Sequence, residues 1–199
     1  MDLMERARRT FRTVDGHVVP TVTAAEMREI DRVAMEEFGL GILQMMENAG
    51  RNLAGHAMEM LDDAPGEVIV LAGGGNGGGG LCCARHLHNH GLPVQIVLDR
   101  DPANLGEAAR RQLDILQATG LRPLPLPEAE RWIRRSPLVV DALIGYGLRD
   151  KPKGRTAEII SLCNRHAQRV LCLDAPSGID ATTGEAIGLA VRPDRTLTL

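Results

Sequence analysis

Aromatic residues are nearly missing: one Trp, one Tyr and two Phe make up 2% of the 199-residue chain. The core must therefore be aliphatic, and too few rings exist for the base-stacking platforms that bind single strands. Net charge is also small, at −3, which leaves no basic footprint for nucleic acid. No apolar run is long enough to cross a membrane. The first twenty residues carry arginines but also Asp2, Glu5 and Asp15, and no hydrophobic segment. A secretory signal or transit peptide does not fit that pattern, so a cytoplasmic protein is expected. Cys82, Cys83, Cys163 and Cys172 have no C-x-x-C spacing and lie in apolar stretches. They read as buried free thiols of a reducing compartment, not as a metal cluster. His86, His88 and His90 alternate, a spacing that scatters them around a helix; they read as surface residues without shared ligation.

What the chain does have is glycine, concentrated in Gly73-Gly-Gly-Asn76-Gly-Gly-Gly-Gly80. The stretch follows the apolar run Val68–Leu71 and precedes the helix-like Leu81–His90. A strand, a glycine loop and a helix start, in that order, make a site for a polar, usually phosphorylated, ligand. The backbone can turn sharply there, and the helix N-terminus offers unpaired N–H groups. Asn76 is the only side chain in the loop. G-x-G-x-x-G can be read in several frames, so the bare match says little. No Walker lysine follows, which disfavours nucleoside triphosphate hydrolysis.

With 44% apolar and 25% charged residues, the chain suits a soluble globular domain. Residues 1–22 read as an N-terminal extension, part of it helical and ended by Pro20, and residues 23–199 as one domain. Thr23 with Glu26 fits a capping box. Met27, Ile30, Ala34 and Phe38 would then line one face of a helix stopped by Gly39. A second helix is expected over Leu43–Leu61, followed by a turn over Asp62–Gly66. Strands are expected at Val68–Leu71, Val94–Leu98, Leu138–Val140 and Val170–Leu173. Helices between them cover Leu81–His90, Leu105–Thr119, Glu128–Arg135 and Thr156–His166. Strands that are apolar on both faces and separated by helices give an α/β fold with a doubly wound parallel sheet. Thr196–Leu199 resembles a strand begun at the chain end, which would fit a truncated C-terminus.

Ligands bind beyond the carboxyl ends of such strands. The glycine loop, the segment Asp141–Lys151 and the segment Asp174–Asp180 all fall there and should meet at one rim. Asp141, Asp174, Ser177, Asn76 and loop carbonyls offer oxygen ligands for a hard cation, and a carboxylate at such a place can carry a proton. Ser177 lacks the G-x-S-x-G elbow of a hydrolase nucleophile.

At these residues the sequence resembles the YjeF N-terminal domain family, the NAD(P)HX epimerases. The resemblance rests on Ala25-Glu-Met-Arg-Glu-Ile-Asp31, Met46-Glu-Asn-Ala-Gly50, the glycine loop with Ala84-Arg-His-Leu87, Val140-Asp-Ala-Leu-Ile-Gly145 and Leu173-Asp-Ala-Pro-Ser-Gly178. The closing Ala190-Val191 and Asp194-Arg-Thr-Leu-Thr198 add to it.

The resemblance implies a Rossmann-like α/β/α sandwich of three layers, often a homodimer. It implies interconversion of the R and S hydrates of NADH and NADPH, repaired further by a partner dehydratase. It also implies a bound potassium ion near Asn76, Asp141 and Ser177. The substrate would be lined by Gly75, Asn76, Gly77, Gly78 and Gly79, by Gly145, Tyr146, Gly147, Leu148, Arg149, Asp150 and Lys151, and by Asp174. Asp141 would be the proton carrier. Nucleic acid and membranes would not be partners.

Two positions depart from the family pattern. A loop usually written G-N-N-G-G-D-G has Gly75 for its first Asn and Gly79 for its Asp. Asp99-Arg100 stands where some members carry a lysine, and an arginine does not give up its proton. The alternative is therefore a catalytically impaired nucleotide-binding or scaffold module. A third reading, an ordinary Rossmann dehydrogenase, would use Asp99 as its ribose-binding acid.

Overall fold

The computed structural model describes residues 11–62 and 66–199. The chain divides into two compact units, residues 1–40 and 41–199. The first ten residues of the expected, partly helical extension, and most of the turn expected at Asp62–Gly66, lie outside the described residues.

The first unit holds a two-stranded hairpin that the sequence reading did not expect. β1 (Phe11–Arg12) pairs antiparallel with β2 (Val18–Val19). The turn closes through Thr13 N–H to the His17 carbonyl at 2.9 Å, with Gly16 at φ +91. α1 (Ala24–Glu36) starts as expected, because Thr23 and Glu26 exchange the two capping-box bonds, at 3.2 and 2.7 Å. No residue of α1 is buried, and Phe38, just past the helix, is 81% exposed.

In the second unit, α2 (Ile42–Leu61) begins where the Gln44 side chain accepts the Gly41 N–H at 2.7 Å. Then follow β3 (Val68–Ala72), α3 (Gly77–Asn89), β4 (Val94–Leu98), a 3₁₀ turn at Pro102–Asn104 and α4 (Glu107–Ala118). α5 (Leu126–Arg135), β5 (Leu138–Ala142), α6 (Gly154–His166), β6 (Val170–Leu173) and β7 (Arg195–Leu197) complete it. The five strands lie in the order β4-β3-β5-β6-β7, all parallel.

Alternation sorts the strand residues into two cores. Val68, Val70 and Ala72 share one with Leu53, Leu81, Leu87 and Leu113, so α2, α3 and α4 cover that face. Ile69, Leu71 and Val139 share the other with Ile133, Ile159 and Cys163, so α5 and α6 cover the second. Each fully buried Leu or Ile contributes roughly 1.5–3 kcal/mol, and aliphatic side chains suffice for both layers. The result is the expected three-layer α/β/α sandwich. β3 sits inside the sheet with its successors on opposite sides, so the chain's direction across the sheet reverses between β3 and β5. That switch point is where doubly wound sheets hold ligands.

The glycine run is not all loop. α3 starts at Gly77, four residues earlier than the sequence suggested, and Gly77–Gly80 form its buried first turn. Packing explains the composition. A Cβ on Gly80 would stand 2.4 Å from the Ala142 Cβ, and one on Gly79 2.7 Å from Leu173 Cδ2. On α2, a Cβ at Gly50 would meet the Cys82 Cβ at 2.4 Å and the Gly79 carbonyl at 2.8 Å. Most of these glycines let α3 lie close against the sheet and α2. Gly74 alone in the run has a positive φ, +45, and its missing side chain leaves room for the Leu143 carbonyl.

Candidate functional site

Asp141 belongs to β5 itself and is 1% exposed. Its Oδ1 accepts the Ser177 hydroxyl at 2.6 Å and the Leu143 N–H at 3.2 Å. Its Oδ2 accepts the Ser177 N–H at 2.9 Å and the Cys172 thiol at 3.1 Å. Burial pushes its carboxyl above the ordinary aspartate value, and the Ser177, Cys172 and Leu143 donors oppose that shift. Ser177, itself fully buried, also accepts the Ile144 N–H at 2.9 Å. Together Asp141 and Ser177 tie the end of β5 to the loop after β6. The two Asp141 oxygens are engaged by four protein donors beneath the surface.

Asp174 is placed differently. It ends β6, is half-buried, and has φ +67, one of only two positive values at non-glycine positions among the described residues. A left-handed backbone at such a residue costs about 1 kcal/mol or more and clusters at functional sites. Its N–H donates to the Leu197 carbonyl and its Oδ2 accepts the Tyr146 N–H, both at 2.7 Å.

Asn76, the residue before α3, donates to the Leu173 carbonyl at 2.8 Å. A Cβ on Gly145 would stand 2.3 Å from both Asn76 Oδ1 and Asp174 Oδ2. Only glycine lets the amide and the carboxylate close in from two sides of the Leu143–Gly145 turn, whose other flank is Ser177. The three segments expected at one rim therefore do meet, at the ends of β3, β5 and β6.

The remaining expected residues divide. Gly75 is exposed, with open space where a side chain would point. Gly77, Gly78 and Gly79 are buried against Ala109, Met46 and Leu173. They can offer a ligand only backbone N–H groups, and the Gly77 N–H already donates to the Gly73 carbonyl at 2.7 Å, so the helix start offers those of Gly78 and Gly79. Beyond Gly145, Tyr146 is half-buried and Leu148 buried, while Gly147, Arg149, Asp150 and Lys151 are exposed along the rim loop.

Asp99 is not a ribose-binding acid. Its side chain is fully buried, clamped by Arg100 Nε and Nη2 at 2.7 and 2.9 Å and by the Thr156 hydroxyl at 2.9 Å. It lies under Gly73, whose Cβ would come within 2.1 Å of its Oδ1. Arg100 remains partly exposed.

Sequence reasoning also missed a polar cluster on the α2–α3 seam. His86 is not a surface residue: its Nε2 is 2.7 Å from Glu47 Oε1, and its side chain is 19% exposed. Arg85 pairs with Glu47 as well. Burial works against ionisation of Glu47, yet bonds from Arg85, His86 and Cys82 hold it down at about 2. Burial, with Glu47 beside it, pushes the Cys82 thiol up to about 12. The four-residue spacing of Cys82 and His86 on one helix was the available signal. All four cysteines are buried and free, as expected.

This is a parallel α/β sandwich with a polar rim at its switch point, and comparisons with known proteins place it further. The chain matches the family described as YjeF-related protein N-terminus over residues 42–199. It is 48% identical over 193 residues to the NAD(P)H-hydrate epimerase of Dehalogenimonas lykanthroporepellens, covering 95% of this chain and 77% of that protein. It is 36% identical to the NAD(P)H-hydrate epimerase of Rhodopirellula baltica, over 90% of this chain and 74% of that protein. A bifunctional NAD(P)H-hydrate repair enzyme Nnr of Salinibacter ruber is 35% identical, but the chain spans only 36% of it. The crystal structure of yeast ynu0 superposes with a TM-score of 0.81 at 22% identity, over 89% of this chain and 79% of that one, and so shares the fold. The chain belongs to the YjeF-related N-terminal domain family.

Proposed function

We propose that this protein is an NAD(P)H-hydrate epimerase, an isomerase that interconverts the R and S hydrates of NADH and NADPH. The observation that carries the reading is the meeting of Asn76, Gly145 and Asp174 at the carboxyl ends of three adjacent strands. The names of the relatives support it. In this reading the nucleotide's phosphates lie over Gly75 and the first-turn N–H groups of α3. The reduced ring faces Asp174 and the Tyr146–Lys151 loop. Asp174 protonates the departing C6 hydroxyl, which leaves as water with the ring nitrogen's electron pair closing the iminium. Water then adds to the other face with its proton passing to solvent, and the carboxylate regains a proton from solvent. Asp141 stays beneath and holds Ser177 and the turn in place.

Potassium belongs to the same proposal. The donors suit a hard monovalent cation: the Asn76 amide oxygen, the Asp141 carboxylate, the Ser177 hydroxyl and neighbouring carbonyls. None of the four donors on Asp141 carries a positive charge. Asn76, Asp141 and Ser177 would hold the ion, which would supply charge compensation and fix the turn. The protein would work in the cytoplasm as a homodimer and pass the S hydrate to a dehydratase.

The test is incubation with the separated R hydrate of NADH, with potassium varied. Formation of S above the spontaneous rate is expected, and no excess over that rate ends the proposal. A second reading, an impaired nucleotide-binding module, is favoured by Gly79, because Leu173 occupies the space of the missing carboxylate. It predicts nucleotide binding without turnover.

A further inference from the structure

We propose that Glu47, Cys82 and His86 form a binding site for one thiophilic divalent cation, zinc in the first instance, on the seam between α2 and α3. One carboxylate oxygen, one sulfur and one ring nitrogen from these residues lie within 4.8 Å of one another. Nitrogen, sulfur and oxygen are the donors zinc takes; around a tetrahedral ion such atoms stand roughly 3.3–3.8 Å apart. Here His86 Nε2 is 2.7 Å from Glu47 Oε1 and Cys82 Sγ is 3.3 Å from the other oxygen, Oε2, so the side chains must open by about 1 Å around an ion held on Oε1.

The site rests on rigid elements. Cys82 and His86 are one turn apart on α3 and project from the same face. Glu47 comes from α2, which is held against α3 by the contact of Gly50 with Cys82 and the Gly79 carbonyl. Arg85 bonds Glu47 Oε2 and, through Nε, Gln112 Oε1 at 3.2 Å. With the cation between Oε1 and the sulfur, Arg85 gives up its 3.4 Å contact with Cys82 Sγ, keeps the other oxygen and fixes the carboxylate's orientation, as partners behind metal ligands commonly do. Two anionic ligands, carboxylate and thiolate, offset the ion's double charge, the thiol proton passing to water. An open groove of about 460 Å³, lined by Glu47, Gln112, Leu43 and Arg111 among others, reaches the site at Glu47, while Cys82 is fully buried, so a fourth, water ligand would enter from the Glu47 side. None of the three ligands belongs to the nucleotide rim, so this site stands or falls apart from the epimerase reading.

The full chain, stripped of metal, is titrated with zinc against a chromophoric chelator, and with cobalt under an absorption spectrometer. One zinc per chain and a cobalt–thiolate charge-transfer band are expected. Cys82→Val should abolish that band and weaken zinc binding at least tenfold. His86→Gln should keep the band and weaken binding roughly tenfold. Circular dichroism establishes that each variant is folded; the valine fills the buried thiol's place, and the glutamine variant provides a second arm. Absence of the band, or equal zinc affinity in the wild type and both variants, would overturn the proposal.

Discussion

Two buried aspartates flank the switch point and are stabilised in opposite ways. Asp99, just past β4, is met by an arginine fork and a hydroxyl. Asp141, in β5, is met by a hydroxyl, a thiol and two backbone N–H groups, all neutral. Asp99 is a closed ion pair under the glycine loop. At Asp141 these neutral donors would share a charge but not cancel it. The first arrangement builds a strut; the second ties the end of β5 to the loop after β6. Asp174, half-buried and held in a strained conformation, is neither.

The largest effect should come from removing the uncancelled carboxylate. Asp141→Ala strands the Ser177, Leu143 and Cys172 donors in the interior, at about 1–3 kcal/mol each where no water enters. A loss of about 3–5 kcal/mol in denaturant unfolding is expected, since relaxation recovers part of that sum. An unchanged midpoint would mean that the knot is not structural. Asp174→Asn should leave stability nearly unaltered, because Asn also tolerates a left-handed backbone. It should lower epimerisation by roughly 10²–10⁴. Retention of full rate would remove Asp174 from chemistry.

Arg100→Gln tests the strut. The fork is partly exposed, so the cost should be about 2 kcal/mol, below that of a fully buried pair; a cost equal to that of Asp141→Ala would erase the contrast. Gly50→Ala probes the seam, where overpacking against Cys82 should cost about 1–3 kcal/mol.

The smallest effect is in pH. The Asp141 carboxyl is raised above its ordinary 3.8 in the folded state. The native protein therefore holds the proton to higher pH than the unfolded chain. Stability due to this group is greatest at acid pH and falls as pH rises through the raised value. Asp141→Asn should flatten that slope, and potassium should reduce the loss in the wild type but not in the variant.

Much of this was legible beforehand. Aliphatic runs at Val94–Leu98 and Val170–Leu173 fixed two strands to the residue, because a strand buried on both faces has a pattern with little ambiguity. Thr23 and Glu26 announced the start of α1 through a local exchange of hydrogen bonds. The glycine run misled, because loop and helix are equally open to a glycine until neighbours are known. Ala142, Leu173 and Cys82 decide that Gly77–Gly80 pack as a helix. Likewise, Asp141 and Asp174 look alike in sequence, each an aspartate closing an apolar run.

The chain's order of aliphatic, glycine and turn residues was enough to determine the layers, the parallel sheet and which segments share a rim, since these follow from periodicity and local bonding. Only the folded structure decided which carboxylate faces outward, which glycines serve packing, and that Glu47, Cys82 and His86 meet. Those outcomes depend on atoms brought together from distant parts of the chain, where burial and neighbouring donors, not residue type, set a side chain's role.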